Sequence, residues 1–248
     1  MKYQWILFDA DETLFHFNSF KGLQRLFLDY DVIFTEQDFK AYQSVNLPLW
    51  GDYQDGKITA QQLQERRFIL WAEKLNVSPQ QLNAGFLHAM ADICQLLPGA
   101  QALLDALNGK VRLGIITNGF TQLQTIRLQK TGLLDIFSLV VISEEVGLAK
   151  PHVGIFEYAF ERMSLHESKE QGILDLNRIL MVGDNQYSDI QGGMNSSIDT
   201  CWLNRFKEPL VEGIYPTYQV SSLLALKELL VPSDKAVENV NSAQSKVS

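Results

Sequence analysis

Five short apolar runs punctuate the chain: Tyr3–Phe8, Val111–Ile116, Leu139–Ile142, Ile179–Val182 and Thr200–Leu203. They are rich in β-branched residues and do not alternate with polar ones, so each reads as a strand covered on both faces. Between the later runs lie helical patterns, Gln122–Gly132 closing on a glycine and Val153–Met163. Strand, helix, strand repeated in this way predicts an α/β protein with a parallel sheet and right-handed crossovers. Residues 18 to about 95 break that rhythm. Leu23, Leu26, Phe27 and Tyr30 follow helical spacing, and Thr35 with Asp38 makes a capping-box pattern ahead of Phe39 and Tyr42. Thr59 with Gln62 opens a helix that carries Leu63, Leu70, Trp71 and Leu75 on one stripe. Ser78-Pro79 with Gln81 opens another, with Leu82, Phe86, Met90 and Ile93 inward. With no strand pattern among them, these residues predict an all-helical insert after the first strand. Ser221 or Ser222 caps a last helix, Leu223–Leu230, and the polar tail 232–248 reads as disordered.

Composition narrows the class. Of 248 residues, 46% are hydrophobic and 20% charged, which suffices for a large core and excludes a wholly disordered chain or a disulfide-stapled scaffold. Asp and Glu number 29 against 21 Lys and Arg, a net charge of -8, which argues against polymeric nucleic acid or an anionic membrane as a partner. Cys94 and Cys201 have no metal-ligand spacing and lie among apolar neighbours, as buried small hydrophobes do. Nothing approaches the roughly 18 apolar residues of a membrane span. Met1–Phe8 runs into Asp9-Ala10-Asp11-Glu12 with no cleavage site, so a cytoplasmic location is expected.

In an α/β sheet, chemistry collects where strands end. The first run ends in Asp9-Ala10-Asp11-Glu12-Thr13, whose i, i+2 carboxylates call for a cation, a lysine or a shared proton, although turn duty explains many such pairs. The second ends in Thr117-Asn118-Gly119, which suits an anion and is also ordinary turn chemistry. The third leads to Lys150-Pro151, which alone could be a surface lysine. The fourth ends in Gly183-Asp184, with Asp189 five residues on, where Asp189 could simply start a helix.

Jointly these four strand ends resemble the haloacid dehalogenase-like superfamily across residues 1 to 231. The resemblance implies a Rossmann-like sheet core (1–17 and 96–231) with the first and fourth strands adjacent, and a helical cap (18–95). It implies that Asp9 is the nucleophile that forms an aspartyl-phosphate and that Asp11 is the acid and then the base. Thr117 and the Asn118 backbone would hold phosphoryl oxygens, and Lys150 would neutralise nucleophile and phosphate. Asp9, Asp184 and the Asp11 carbonyl would bind Mg²⁺, with Mn²⁺ as a substitute, and Asp189 would brace Lys150 or a metal water. Four aspartates bring -4 while Lys150 and Mg²⁺ return +3, so this count predicts a protonated Asp11 when a phosphate dianion arrives.

The wording Asp9-Ala10-Asp11-Glu12-Thr13-Leu14-Phe15, Ile115-Ile116-Thr117-Asn118-Gly119-Phe120 and Ile142-Ser143-Glu144-Glu145-Val146-Gly147 is similar to the bacterial pyrimidine 5′-nucleotidase branch, which acts on nucleoside monophosphates, non-standard ones included. Leu26-Phe27-Leu28-Asp29-Tyr30 and Pro48-Leu49-Trp50 fit it too, whereas Asn185 replaces the usual Thr or Ser. Asn46, Trp50, Tyr53 and Trp71 are the candidates to meet a base, with Trp71 expected in the cap core and Trp50 in a polar loop. His16 reads as structural. The expected partner is a small phosphorylated substrate, and the expected state a monomer or weak homo-oligomer. A 2-haloacid dehalogenase would not need Asp11, a sugar-phosphate phosphatase or phosphomutase would share both aspartates, and a retired binding protein would have lost at least one of Asp9, Asp11, Lys150 or Asp184.

Overall fold

The computed structural model describes residues 1–169 and 172–232, so the expectation for 233–248 lies outside the described residues. The apolar runs become parallel strands β1 (Trp5–Phe8), β2 (Arg112–Thr117), β3 (Leu139–Ile142), β4 (Ile179–Gly183) and β5 (Asp199–Leu203). A short sixth strand, β6 (Tyr218–Val220), extends the sheet to the order β3-β2-β1-β4-β5-β6. All pairings are parallel. Phe8 lies level with Ile115 on one side and Val182 on the other, so three strands finish together at one edge.

Five helices follow β1: α1 (Ser19–Leu28), α2 (Glu36–Gln54), α3 (Ala60–Arg66), α4 (Ile69–Leu75) and α5 (Pro79–Asp92). Then come α6 (Ala100–Leu107), α7 (Thr121–Lys130), α8 (Ser143–Val146), α9 (Val153–Lys169), α10 (Gly192–Asn195) and α11 (Leu223–Leu230). Capping boxes at Thr35/Asp38 and Thr59/Gln62 form as expected, and Ser222 caps α11. One face of the sheet packs Ile6, Phe8, Ile115 and Val182 against Leu103, Leu104 and Leu226. The other packs Trp5, Leu7, Ile116 and Met181 against Ile155, Phe156 and Met163 of α9. Both faces are therefore dry, which is why these runs show no polar alternation. Cys201 is buried and Cys94 half-buried, both as free thiols.

Two expectations for the cap need correction. The helix after Thr35, α2, runs through Pro48 to Gln54, so Trp50 stands on a helix and not in a polar loop. The stripe from Leu63 to Leu75 divides at Arg67-Phe68 into α3 and α4; Phe68 faces inward and Leu70 is exposed. Trp71 packs on Phe27, with centroids 4.4 Å apart, as cap core. The cap's apolar cluster extends into the core at Phe120, Leu123 and Ala149.

The chain leaves the core and returns to it side by side. Phe15 forms an antiparallel bridge with Leu96, His16 N–H donates to Gln95 O (2.9 Å), and Leu97 N–H donates to Leu14 O (2.8 Å). The His16 side chain is exposed, in keeping with a structural linker position.

Candidate active site

The common edge of β1, β2 and β4 brings the sequence-predicted residues together. Asp9 directly follows β1 and is 8% exposed. Lys150 is not a surface lysine: at 1% exposed, its Nζ donates to Asp9 Oδ1 (2.7 Å), Asp189 Oδ1 (2.6 Å) and Ile116 O (2.7 Å). These three acceptors use all three ammonium donors. Burial alone would lower the Lys150 pKa, but the carboxylates of Asp189 and Asp9 outweigh it and raise it, so the amine stays charged. The Asn118 side chain fixes the Lys150 backbone, accepting from Lys150 N (2.8 Å) and donating to Lys150 O (2.9 Å). That leaves only the Asn118 main chain for a ligand. Thr117 ends β2, fully buried, and its Oγ1 accepts from Gly119 N (3.0 Å).

Asp184 follows β4. Its N–H donates to Thr13 Oγ1 (3.1 Å), Thr13 Oγ1 contacts its Oδ1 (3.3 Å), and Trp202 Nε1 donates to its carbonyl (2.9 Å). Thr13, completely buried, thereby ties the first strand end to the fourth, a role the sequence did not disclose. Asp189 sits in a π-helical turn, Gln186–Gln191. Besides Lys150, its oxygens accept from Asn185 N (2.9 Å) and Ser188 Oγ (3.1 Å).

Carboxylate oxygens of Asp9, Asp184 and Asp189 lie within 4.8 Å of one another. Burial, eased by Lys150 and reinforced by the charges of Asp189 and Asp11, pushes Asp9 up to about 7. Burial together with the charges of Asp189 and Asp9 pushes Asp184 up to about 8. Hard oxygen donors with surplus negative charge are what a divalent cation such as Mg²⁺ requires, so the residues fit the ion. With both oxygens of Asp189 already hydrogen-bonded, Asp9 and Asp184 are the side chains free to coordinate.

Asp11 does not point into that cluster. Its Oδ1 is ion-paired with Arg127, a 1% exposed residue of α7 stacked over the Phe15 ring at 4.4 Å. The charge count above omitted this cation. With Arg127 included, the charges of the four aspartates, Lys150, Arg127 and a divalent ion sum to zero. Arg127 and Gln124 lie at i+7 and i+4 from Phe120, on the same inward stripe as Leu123 and Leu128. Polar residues on an apolar stripe were the signal that could have revealed them.

The cap meets this edge through α2. Trp50 lies 5.3 Å from Phe120 between centroids, and Tyr53 OH hydrogen-bonds Ser143 Oγ (2.7 Å). Gln64 Nε2 donates to Glu144 Oε1 (2.5 Å). Trp50 is thus carried to the loop after β2. Asn46 is not: it is buried in the cap, accepting from Tyr42 OH (3.4 Å) and donating to Gln43 Oε1 (3.1 Å).

Strand order, motif positions and helical insert together define a haloacid dehalogenase-like hydrolase, and the sequence profile of that family matches residues 3–196. The chain belongs to this family and is a hydrolase. It is 57% identical over 230 residues to the pyrimidine 5′-nucleotidase YjjG of Escherichia coli K12, spanning 93% of this chain and 99% of that protein. It is 33% identical to the pyrimidine 5′-nucleotidase PynA of Streptococcus pneumoniae, over 93% and 96% of the two chains. Among solved structures, the putative HAD-hydrolase YfnB of Bacillus subtilis, bound to magnesium and with interdomain movement, superposes with a TM-score of 0.78 at 30% identity, covering 92% and 99%. Among the described residues no helix is long and apolar enough to cross a membrane.

Proposed function

We propose that this enzyme hydrolyses nucleoside 5′-monophosphates, pyrimidine ones including non-standard bases, in a Mg²⁺-dependent reaction through an aspartyl-phosphate on Asp9. The observation that carries the reading is the Lys150 ammonium bonded to both Asp9 and Asp189 beside Asp184, in a chain 57% identical to a pyrimidine 5′-nucleotidase. Asp9 attacks phosphorus as the bond to the ester oxygen breaks, and Asp11 delivers the proton that the nucleoside leaves with. Asp11 then takes a proton from water, which attacks the acyl phosphate and releases orthophosphate while regenerating Asp9. Arg127 holds only Oδ1 of Asp11, leaving Oδ2 for these transfers. Thr117 and the Asn118 N–H hold phosphoryl oxygens, and Lys150 keeps Asp9 ionised and oriented. Asp9, Asp184 and the Asp11 carbonyl would hold Mg²⁺, or Mn²⁺ in its place, which would supply positive charge against the phosphate.

Residues 1–17 and 96–231 act as the catalytic core and 18–95 as the cap. The cap meets the core through Trp50 on Phe120 and Tyr53 on Ser143, and substrate enters as the cap swings away on its two linkers. The enzyme works in the cytoplasm on a small phosphorylated substrate, as a monomer or weak homo-oligomer. Phosphate release across nucleotides and sugar phosphates, with Mg²⁺ or chelator and with Asp9→Asn as control, tests the mechanism and the substrate assignment. Pyrimidine monophosphates should lead the panel. Equal activity in chelator or in Asp9→Asn would overturn the mechanism, and faster turnover of every sugar phosphate would overturn the substrate assignment in favour of a sugar-phosphate phosphatase or phosphomutase.

A further inference from the structure

Gln124 is completely buried, yet its Nε2 has no hydrogen-bond partner among the described residues. An unmet buried amide donor forfeits its hydration with nothing in return, so its persistence points to a ligand that meets it. Its orientation is fixed. Arg127 donates through Nε (2.9 Å) and Nη2 (2.6 Å) to Gln124 Oε1, and an arginine has donors only, so the amide oxygen must face Arg127 and the NH₂ must face away. The NH₂ faces the loop after β2. A Cβ placed on Gly119 would lie 2.3 Å from Gln124 Nε2, 3.2 Å from Thr117 Oγ1 and 3.3 Å from Asp11 Oδ2. Polar atoms from the loop after β1, from β2 and from α7 therefore gather around Gly119, and only glycine lets the Gln124 amide come this close to the loop after β2.

We infer that Gln124 is a substrate-binding residue whose Nε2 donates to an oxygen of the bound phosphate group, between the group held by Thr117 and the acid Asp11. The inference rests on the phosphomonoesterase reading above. Arg127 is the positioning residue that joins the two: its Nε and Nη2 aim the amide, while its Nη1 pairs with Asp11 Oδ1. The acid and the extra donor are thus set by one guanidinium, itself held over Phe15 at the root of the cap linker.

The test uses the full chain with Mg²⁺, a pyrimidine nucleoside monophosphate and p-nitrophenyl phosphate as substrates, and inorganic phosphate as a competitive probe. Gln124→Glu keeps the acceptor for Arg127 but replaces the donor with an oxygen. Gln124→Met removes both. In either variant kcat/KM should fall by about 10- to 100-fold on both substrates, the range for a hydrogen bond to a charged group, and the phosphate inhibition constant should rise in step. If Gln124→Glu does not fold, Gln124→Met carries the same readout, with the phosphate-induced thermal shift as a second measure. Loss of kcat with an unchanged phosphate inhibition constant would overturn the inference, since that marks a residue acting only through Arg127 and Asp11. Unchanged kinetics would overturn it too. A wild-type enzyme that cleaves no phosphomonoester would instead overturn the reading on which it rests.

Discussion

Replacing Lys150 by Met removes one charge and leaves the packing volume almost intact, so its effects isolate the role of that charge. In the wild type the Lys150 ammonium lies 2.7 Å from Asp9 and 2.6 Å from Asp189, with all three groups largely shielded from water. Removing one partner from such a buried set costs about 3–5 kcal/mol. At about 2–4 °C per kcal/mol for a protein of this size, the melting temperature should fall by roughly 6–20 °C in chelator at pH 8. The loss should shrink in acid. Without the lysine, burial holds Asp9 and Asp184 further above their unfolded value near 3.9, so between that value and their folded pKa the native state binds more protons and stability falls as pH rises. The gap between variant and wild type should therefore be widest at pH 8 and smaller at pH 5. Activity should drop by about 10²–10³-fold or more, because Asp9 loses the neighbour that lowers its pKa. Thermal melts at the two pH values, with phosphate release measured alongside, check each part. A Lys150→Met protein melting within 2 °C of wild type at pH 8 in chelator would refute the reasoning.

Three further outcomes are expected. With Asp9 up to about 7 and Asp184 up to about 8 in the metal-free protein, Mg²⁺ binding should release roughly two protons at pH 6 and close to none at pH 9. Titration calorimetry in two buffers of different ionisation heat counts them, and equal release at both pH values would contradict the site electrostatics. Trp50→Ala should lower kcat/KM for a pyrimidine nucleotide by about tenfold, the worth of one base stack, while sparing p-nitrophenyl phosphate. Equal losses on both substrates would remove Trp50 from base recognition. Tyr53→Phe deletes the hydroxyl bonded to Ser143 across the cap–core seam, and about 1 kcal/mol less for closure should lower kcat/KM roughly fivefold without lowering the melting temperature of the core. An unchanged kcat/KM would mean that this bond has no part in closure.

The strands were readable because both sheet faces are dry, which writes them as unbroken apolar runs. β6 was not, since its three residues lie at the sheet edge and only partly buried, giving no run to detect. Trp50 read as part of a polar loop, but α2 carries both Pro48 and Gly51 inside it and runs on to Gln54. Asp9, Thr117, Lys150 and Asp184 were legible from one-dimensional order alone, because a parallel sheet maps strand ends onto one edge. Arg127 and Gln124 were not, because they meet the site from the flank of a helix. In sequence Arg127 looks like an ordinary basic residue complementing the end of α7. Only the closeness of α7 to the first loop discloses its pairing with Asp11.

The bridge between Phe15 and Leu96 has a consequence for how the molecule can change. Because the core itself holds the two crossing points together, it does not depend on what the intervening eighty or so residues do to bring them there. Closing a longer or shorter insert between fixed ends costs only about 0.6 kcal/mol per doubling of length. The helical insert is therefore an exchangeable cassette. A different set of helices could be spliced between the same two residues, giving the same phosphorus chemistry a new clientele.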